Sequence, residues 1–433
     1  MIEALERAWS IPELKRRITF VLTMLLIFAV GAHIPVPGVS SKIIDAYLTG
    51  KGGGGILSLI DMFSGGSFRR MSMFALGIQP YINSSIIMQM MTMAIPQLDA
   101  LQKEGESGRK QIAKISRYLT VILAVLQSMG ITIALNHSPG VHILPFQIAT
   151  ITVALTAGSS FLLWLGEQVT QNGVGNGISL IIFAGILLSL RSQALQMYHQ
   201  IAAGGASWFG LIVLLAFFVG TTLLIVFITQ GTRRIPIQHT KRVVGMRQTQ
   251  AGASFLPIKV NSAGVIPIIF AMSLMLLPAT VASMLPIETG PLSKLKYFMD
   301  QMRPGANPWA TLLYALLVVL FTYFYTAIVM NVQEMADNLK KYGNYIPGIR
   351  PGKPTHEYLE RVISRITLAG AVFLAVIALM QYIVPSLTGF QTFTLVGGTS
   401  LLIIVGVAIE TMQAIEAQLL MRNYEGFIKN ENR

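Results

Sequence analysis

The sequence predicts an all-α polytopic membrane protein with ten transmembrane helices, arranged in two inverted, pseudo-symmetric halves of five, and one short re-entrant element. Three observations predict this fold class: an apolar composition, ten long apolar stretches, and a motif repeat between the halves. Of the 433 residues, 53% are hydrophobic and 12% are charged, and the mean hydropathy is +0.61. A soluble globular chain has about 25% charged residues, so we expect this chain to reside in a membrane.

Ten stretches are long and apolar enough to cross a bilayer, which requires roughly 20 mostly apolar residues. They lie near residues 18–34, 73–95, 118–136, 146–166, 177–193, 208–230, 263–285, 309–331, 364–385 and 394–412. The first follows Lys15, Arg16 and Arg17 but leads into no small-residue cleavage site. We therefore interpret it as a retained span and not as a cleaved signal peptide.

The net charge of +13 is concentrated in alternate connections between the spans. With the N-terminus inside, the inner segments contain 24 Lys and Arg residues and the outer segments contain 8. Because cytoplasmic loops are enriched in Lys and Arg, this bias predicts that both termini are cytoplasmic. It also accounts for most of the net charge without a direct specificity for nucleic acid.

Two of the predicted cytoplasmic loops, 231–262 and 332–362, are longer than topology requires. In the first, residues 233–238 and 256–260 alternate apolar residues with polar residues or proline, which is typical of strands, and the prolines restrict them to edge strands. We expect a short hairpin with Lys241, Arg242 and Arg247 near its tip.

The second loop contains Lys340 and Lys341 and then the run 348–354, a Gly- and Pro-rich turn that presents Arg350 and Lys353. Two basic protrusions on one face indicate a docking platform. Two ordinary solvated loops would have the same composition.

The outward segment 35–72 contains a short apolar stretch, 56–63, between the glycine runs 52–55 and 65–66. This stretch is too short to cross a bilayer. It is therefore either a re-entrant element, which requires burial in protein or a watery cavity, or an interfacial helix on the outer surface.

A repeat links the two halves of the chain. Residues 77–82 and 264–269, at the second and seventh spans, both read Gly-x-x-Pro-x-Ile. Residues 177–182 and 398–403, at the fifth and tenth spans, both read Gly-x-Ser-Leu-x-Ile, and Gly185 and Gly406 follow at the same spacing. The pairing is that of five spans followed by five.

Because five is odd, the second half, 201–433, enters the membrane from the side opposite to the first half, 1–200. Such inverted repeats place their functional site near the membrane midplane between the halves. We therefore expect the matched isoleucines to meet there. They are Ile82, Ile182, Ile269 and Ile403.

The sequence lacks the signatures of catalysis and of metal or cofactor binding. There are no cysteines, no P-loop and no His-Glu-x-x-His motif, so we expect no enzyme, no cofactor and no metal site. The alternative function is an ion-coupled secondary transporter with inverted repeats. A transporter needs ionisable groups inside the membrane, whereas the inner parts of these spans contain almost none, which favours a channel closed by an apolar constriction.

Four runs of the sequence closely resemble the SecY family, the channel-forming subunits of the bacterial Sec protein translocase. They are 77–86, 173–186, 263–267 and 338–352, and the resemblance extends in order over essentially the whole chain. The family fold consists of ten helices in two halves around an hourglass pore. The resemblance implies a protein-conducting channel in the cytoplasmic membrane that translocates secretory polypeptides and releases membrane segments through a lateral gate.

The resemblance also implies roles for particular residues. The pore ring would comprise Ile78, Ile82, Ile182, Ile269 and Ile403, and its sixth position falls on Ser273, so a sixth apolar member is not expected. The plug would lie at about 56–66 and include Ile56, Leu57, Leu59, Ile60, Asp61 and Phe63. Motor and ribosome docking would involve Arg242, Arg247, Lys340, Lys341, Arg350 and Lys353. The implied partners are SecE, SecG, the SecA ATPase, the ribosome, polypeptides with signal sequences, and membrane lipids.

Overall fold

The computed structural model describes most residues of the chain. These are 6, 8–37, 61, 64–136, 143–204, 207–239, 243–244, 247–248, 253–284, 294, 297–299, 301–302, 304–305, 307–388 and 399–431. The described helices are α1 (Pro12–Gly31), α2 (Gln79–Ala94), α3 (Pro96–Lys103), α4 (Glu106–Asn136), α5 (Pro145–Asn172), α6 (Gly177–Ala202), α7 (Trp208–Gln230), α8 (Ile266–Met284), α9 (Pro308–Val329), α10 (Val332–Lys341), α11 (Lys353–Thr388) and α12 (Thr399–Glu431). The described strands are β1 (Thr232–His239), β2 (Val243–Val244), β3 (Arg247–Gln248), β4 (Ala253–Lys259) and β5 (Asn344–Tyr345).

The chain divides into two compact units. Unit 1 comprises Met1–Ala203, Ser273–Ala306 and Val407–Arg433, and unit 2 comprises Gly204–Met272 and Asn307–Gly406. Helices α8 and α12 therefore each begin in unit 2 and continue into unit 1. The predicted halves, 1–200 and 201–433, are defined by the repeat and not by compactness, and they stay a prediction.

In unit 1, small and hydroxyl-bearing residues join neighbouring helices. The Ser84 hydroxyl on α2 donates to the Ser116 carbonyl oxygen on α4 at 2.7 Å, and the hydroxyls of Ser128 and Thr156 lie 3.3 Å apart between α4 and α5. In an apolar medium such residues allow close backbone approach and satisfy one another across helices. These contacts are typical of helix packing inside a membrane.

Unit 2 combines membrane-type helices with a small sheet. Its three-stranded sheet has the order β4-β1-β5, and the antiparallel register places Ile235 opposite Leu256. The predicted hairpin is thus confirmed, whereas the prediction that both of its strands are edge strands is wrong for β1, which lies between β4 and β5. Strand β5 pairs with β1 only at Gln238 and His239, so Pro236 lies where the other side of β1 has no strand partner, as a residue without an N–H requires.

The sheet is covered by α10 and the start of α11. Ile235, Ile237 and Ile258 of the strands form one buried cluster with Leu339 and Leu359 of these helices. The predicted connection 332–362 therefore contains two helical parts, α10 and the first turns of α11, for which the sequence analysis gave no prediction. Apolar residues three and four apart along 335–346 would have indicated this covering helix.

Seven helical stretches of the described chain are long and apolar enough to span a membrane. They correspond to seven of the ten predicted stretches, and the other three coincide with α1, α2 and α8. Predicted span 73–95 is corrected: α2 has 16 residues and begins at Gln79, and the residues before it form turns. The connection between the second and third predicted spans, residues 96–117, contains α3 and the start of α4.

Candidate functional site

The two Gly-x-x-Pro-x-Ile motifs fold in the same way at the starts of α2 and α8. Gly77 and Gly264 both adopt left-handed backbone conformations, with φ of 57° and 64°, which glycine adopts without a Cβ clash. In each motif the proline is the second helical residue and the isoleucine, Ile82 or Ile269, is the fourth. The sequence match is therefore also a match of backbone geometry.

The second pair of motifs opens α6 and α12. Helix α6 begins at Gly177, and the Asn176 side chain accepts hydrogen bonds from the N–H groups of Ile178 and Ser179 at 3.1 and 3.4 Å, an N-cap that fixes the first turn. Ile182 is the sixth residue of α6. Ile403 is the fifth residue of α12, and its motif glycine at position 398 lies outside the described residues.

The five predicted ring residues differ in burial. Ile78, Ile182 and Ile403 are buried, whereas Ile82 and Ile269 are partly exposed. Ile78 is the residue immediately before α2, and the other four lie in the first two turns of their helices.

Ser273, the polar residue predicted at the sixth ring position, is buried on α8. Its hydroxyl accepts a hydrogen bond from Nε2 of Gln79, the first residue of α2, at 3.4 Å. A single neutral hydrogen bond of this length contributes little to stability. The start of α2 is thus joined to α8 by a contact that is easily broken.

A buried turn segment, residues 64–78, precedes α2. Ser64, Ser67, Phe68 and Ser72 are almost fully buried, although the segment is not helical. Irregular backbone at membrane depth is tolerated only inside protein or beside a cavity, and here its apolar side chains pack in a cluster with residues of α4 and α5. This segment was missed by the sequence analysis, which assigned residues 73–78 to a span.

Pairing with the end of the first span holds this turn segment in place. The Val36 N–H donates to the Met71 carbonyl oxygen at 2.8 Å, and the Met73 N–H donates to the Ile34 carbonyl oxygen at 3.0 Å. Between these bonds, Met71 adopts a φ of 44°, which is unusual for a residue with a side chain and costs about 1–3 kcal/mol. The buried packing and the two hydrogen bonds stabilise this conformation.

Asp61 is the one predicted plug residue that the structure describes, and it is paired. Its Oδ1 accepts a hydrogen bond from the Arg69 N–H at 2.7 Å, and its Oδ2 lies 3.9 Å from the Arg69 Nε. The Asp61 carbonyl oxygen accepts from the Gly66 N–H at 2.7 Å. The other predicted plug residues, namely Ile56, Leu57, Leu59, Ile60 and Phe63, lie outside the described residues.

Arg70 makes further hydrogen bonds in the same turn. We call the hydrogen-bonded set of Asp61, Gly65, Gly66, Arg69 and Arg70 the frame. The Arg70 Nη2 donates to the Gly65 carbonyl oxygen at 2.8 Å and its Nε donates to the Gly66 carbonyl oxygen at 3.1 Å. Gly65 in turn lies against α6, since a Cβ added to it would come within 3.1 Å of the Gly185 carbonyl oxygen. The two arginines therefore have local structural roles that their sequence position did not reveal.

Four predicted docking cations of unit 2 are each exposed, and we call this set the basic platform: Lys340, Lys341, Arg350 and Lys353. Lys340 and Lys341 are in the last turn of α10. Arg350 lies between Gly348 and Gly352, which have φ of 81° and 105°, and its carbonyl oxygen accepts from the Thr355 hydroxyl at 2.8 Å. The turn is fixed while the guanidinium faces solvent.

The hairpin tip is only partly described. Arg247 lies in β3, where it is the register partner of Val244. Arg242 lies outside the described residues.

Comparisons with known proteins agree with this architecture. The SecY family model matches residues 72–412. The protein translocase subunit SecY of Streptomyces galbus is 42% identical over 446 aligned residues, which cover 99% of this chain and 100% of the relative.

Two solved structures show the same fold. One is of a SecY protein whose plug domain is described as stabilising the closed state of the translocation channel and maintaining a membrane seal. It covers 93% of this chain and 92% of its own, with 18% identity and a TM-score of 0.66. The other, Sec61 in the canine ribosome-channel complex from the endoplasmic reticulum, has the same coverage with 17% identity and a TM-score of 0.59.

Proposed function

Because this chain belongs to the SecY family and is a protein-conducting translocation channel, we propose that Ile78, Ile82, Ile182, Ile269 and Ile403 close it as one ring. The observation that carries this proposal is the matched geometry of α2 and α8, each with an isoleucine at its fourth position after a left-handed glycine and a proline. Equivalent positions of an inverted repeat meet near its axis. The protein is a multi-pass translocase subunit without catalytic activity, and membership of this family sets aside the ion-coupled transporter.

The ring works by excluding water and ions. A constriction of branched apolar side chains does not hold a continuous file of water, which is how hydrophobic gates block ions. Because such side chains make no directional bonds, they can also yield around a moving polypeptide and contact it on all sides. The energy for transport then comes from a partner and not from this chain.

Lateral release requires a seam that opens, and we place it between α2 and α4 on one side and α8 and α9 on the other. The Gln79–Ser273 hydrogen bond of 3.4 Å joins α2 to α8. Its weakness suits a contact that must break when an apolar signal sequence exchanges protein for lipid. A membrane segment leaves the channel by the same route.

We propose residues 56–66 as the plug on the outer side of the ring. The support is the set of hydrogen bonds at the C-terminal end of this stretch, where Asp61 accepts from the Arg69 N–H and Arg70 donates to the carbonyl oxygens of the glycine pair 65–66. In the sequence, the glycine run 52–55 precedes this stretch.

The basic platform fits an acidic or phosphate-rich partner. We propose that the SecA ATPase and the ribosome dock there and on the hairpin tip with Arg242 and Arg247, and that SecE and SecG complete the complex. Within the described residues none of the four platform cations forms an ion pair with the chain's own carboxylates. This docking face would be cytoplasmic, with both termini on the same side of a bacterial cytoplasmic membrane, as the excess of 24 basic residues over 8 favours.

The test of the ring is the resting ion leak of vesicles that contain the complex. Ile82→Asn should wet the constriction and destabilise the closed state by about 1–3 kcal/mol, the cost of disturbing apolar packing with a polar group, so the leak should rise and defective signal sequences should be accepted. The matched control is Ile87→Asn, on the same helix but about 140° around it. Equal leak from both variants would contradict the ring.

A further inference from the structure

A buried polar cluster lies in unit 2 at the helix ends opposite the sheet. It consists of Tyr314 on α9, Gln381 and Tyr382 on α11, and Thr399, the first residue of α12. Helix α9 begins near this point, α11 ends near it and α12 begins there. The channel function described above uses none of the four side chains.

The cluster is largely buried. Tyr314 is 0% exposed and Gln381 is 8% exposed. The two tyrosine rings meet edge to face, with centroids 6.2 Å apart. The Thr399 hydroxyl donates to Oε1 of Gln381 at 2.8 Å, and the Gln381 side chain lies close to both tyrosine hydroxyls but outside hydrogen-bond geometry.

Three polar atoms in this cluster are buried without a protein hydrogen-bond partner of acceptable geometry: Tyr314 Oη, Tyr382 Oη and Gln381 Nε2. Leaving a polar group unbonded in an apolar environment is unfavourable, because the group loses its hydrogen bonds to water. Three such atoms side by side, all without hydrogen bonds, would strongly destabilise the packing of these helix ends. Their chemistry is complementary, because the amide nitrogen only donates whereas each hydroxyl both donates and accepts.

We propose that Tyr314, Gln381 and Tyr382 bind a buried water molecule and that this hydrated cluster fixes the first turn of α12 through Thr399. A water can accept from the Gln381 amide and from one hydroxyl while it donates to the other. These three hydrogen bonds are the number that a buried water typically makes. The Gln381 amide is then held from both ends, by water at its nitrogen and by Thr399 at its oxygen.

The position of Thr399 gives the cluster a role in the channel. Thr399 and Ile403 are four residues apart on α12, so their side chains lie on the same face of the helix, one turn apart. A hydrogen bond that holds Thr399 therefore also sets the position of Ile403. This second step rests on the proposed isoleucine ring, whereas water binding does not.

Thermal unfolding of the purified complex tests water binding. Tyr314→Phe should shift the melting temperature downward, because it removes a hydrogen bond to the water and leaves the ring in place. A dry cluster predicts the opposite, since removal of an unbonded buried hydroxyl leaves the melting temperature unchanged or raises it. Tyr323→Phe is the control, because the Tyr323 hydroxyl lies on the same helix in an exposed contact of 3.5 Å.

A high-resolution density map of the complex gives an independent reading. A water within hydrogen-bond distance of the three atoms supports the proposal. Its absence from a map that shows other buried waters, or an unchanged or raised melting temperature for Tyr314→Phe, overturns it.

The positioning role is tested by resting ion leak. Thr399→Val keeps the shape but removes the hydroxyl and should raise the leak several-fold, whereas Thr399→Ser keeps the hydroxyl and should restore the seal. Ile403→Asn is the reference. If Ile403→Asn leaks and Thr399→Val does not, the positioning role is wrong and the ring stands. If Ile403→Asn does not leak, the ring is wrong and the positioning role falls with it, while water binding is still decided by the melting temperatures and the map.

Discussion

Single residues hold the buried turn segment together. The Asp61 carboxylate is only 14% exposed, and the N–H of Arg69 donates to it at 2.7 Å. Hydrogen bonds to charged groups contribute about 1.5–3 kcal/mol, whereas an exposed ion pair contributes about 0–1 kcal/mol. The backbone hydrogen bond, more than the guanidinium at 3.9 Å, is therefore what fixes Asp61.

We predict that Asp61→Ala will loosen the frame at the C-terminal end of the plug and raise the resting ion leak of the complex. Asp61→Asn keeps an acceptor oxygen for the Arg69 N–H, so its leak should be smaller than that of Asp61→Ala. The control is Asp99→Ala, which removes an exposed pair with Lys103 at 2.6 Å. A leak from Asp99→Ala equal to that from Asp61→Ala would show that the frame has no special role.

At this scale the sequence predicts residue types better than partners. The repeat identifies Ile82 and Ile269 as equivalent, because each follows a glycine and a proline at fixed spacing. The partner of Asp61 depends on a turn in which Gly65 and Gly66 have φ of 72° and 75°, and no local pattern specifies which of several nearby cations comes into contact. The Gln79–Ser273 contact joins residues 194 positions apart and requires the assembled helices.

Helix α2 shows that hydropathy reports which residues are buried but does not locate the start of a helix. Residues 73–78 are as apolar as a span because they are buried, but the left-handed Gly77 prevents the helix from starting before Gln79. Helix α11 shows the opposite case: it has 36 residues and extends through the charged residues 353–365, where an apolar scan ends. Apolar runs report burial, and caps and glycine conformations set the helix boundaries.

We predict that deletion of residues 56–66 will raise the resting conductance and relax the requirement for a strict signal sequence. The reason is that an apolar ring alone must then seal the closed channel. Single-channel conductance of the reconstituted complex measures this. Unchanged conductance would instead support the alternative interpretation, in which residues 56–63 form an interfacial helix on the outer surface.

The platform turn gives a separate prediction. Arg350→Glu should sharply reduce SecA-driven translocation of a secretory precursor, because the glycine-flanked turn fixes the charge at the docking surface. Accumulation and melting temperature should not change, since reversal of an exposed charge costs within about 0.5 kcal/mol. Arg109→Glu, which reverses an exposed cation on α4, is the control. Normal transport by the Arg350 variant, or its failure to accumulate, would refute the docking role.

The whole molecule combines two kinds of structure. Helices with exposed apolar side chains and hydroxyl-mediated contacts suit a lipid environment, and a small sheet with a basic platform suits a soluble partner. The composition predicts the membrane helices. The basic loops, one of which has a period-2 pattern, predict the sheet and the basic platform. The proposal that the matched isoleucines meet at the centre rests on the repeat, and it is the central claim about how the channel closes.

The most direct test of that claim is a crosslink between positions 82 and 269, because the wild-type chain has no cysteine. Ile82→Cys and Ile269→Cys in one chain should be joined rapidly by a short bifunctional thiol reagent in the resting complex, while Ile87→Cys with Ile269→Cys should not. A translocating precursor trapped in the channel should block the first crosslink. Failure of the 82–269 pair to crosslink, or equal crosslinking of the 87–269 pair, would contradict a central isoleucine ring.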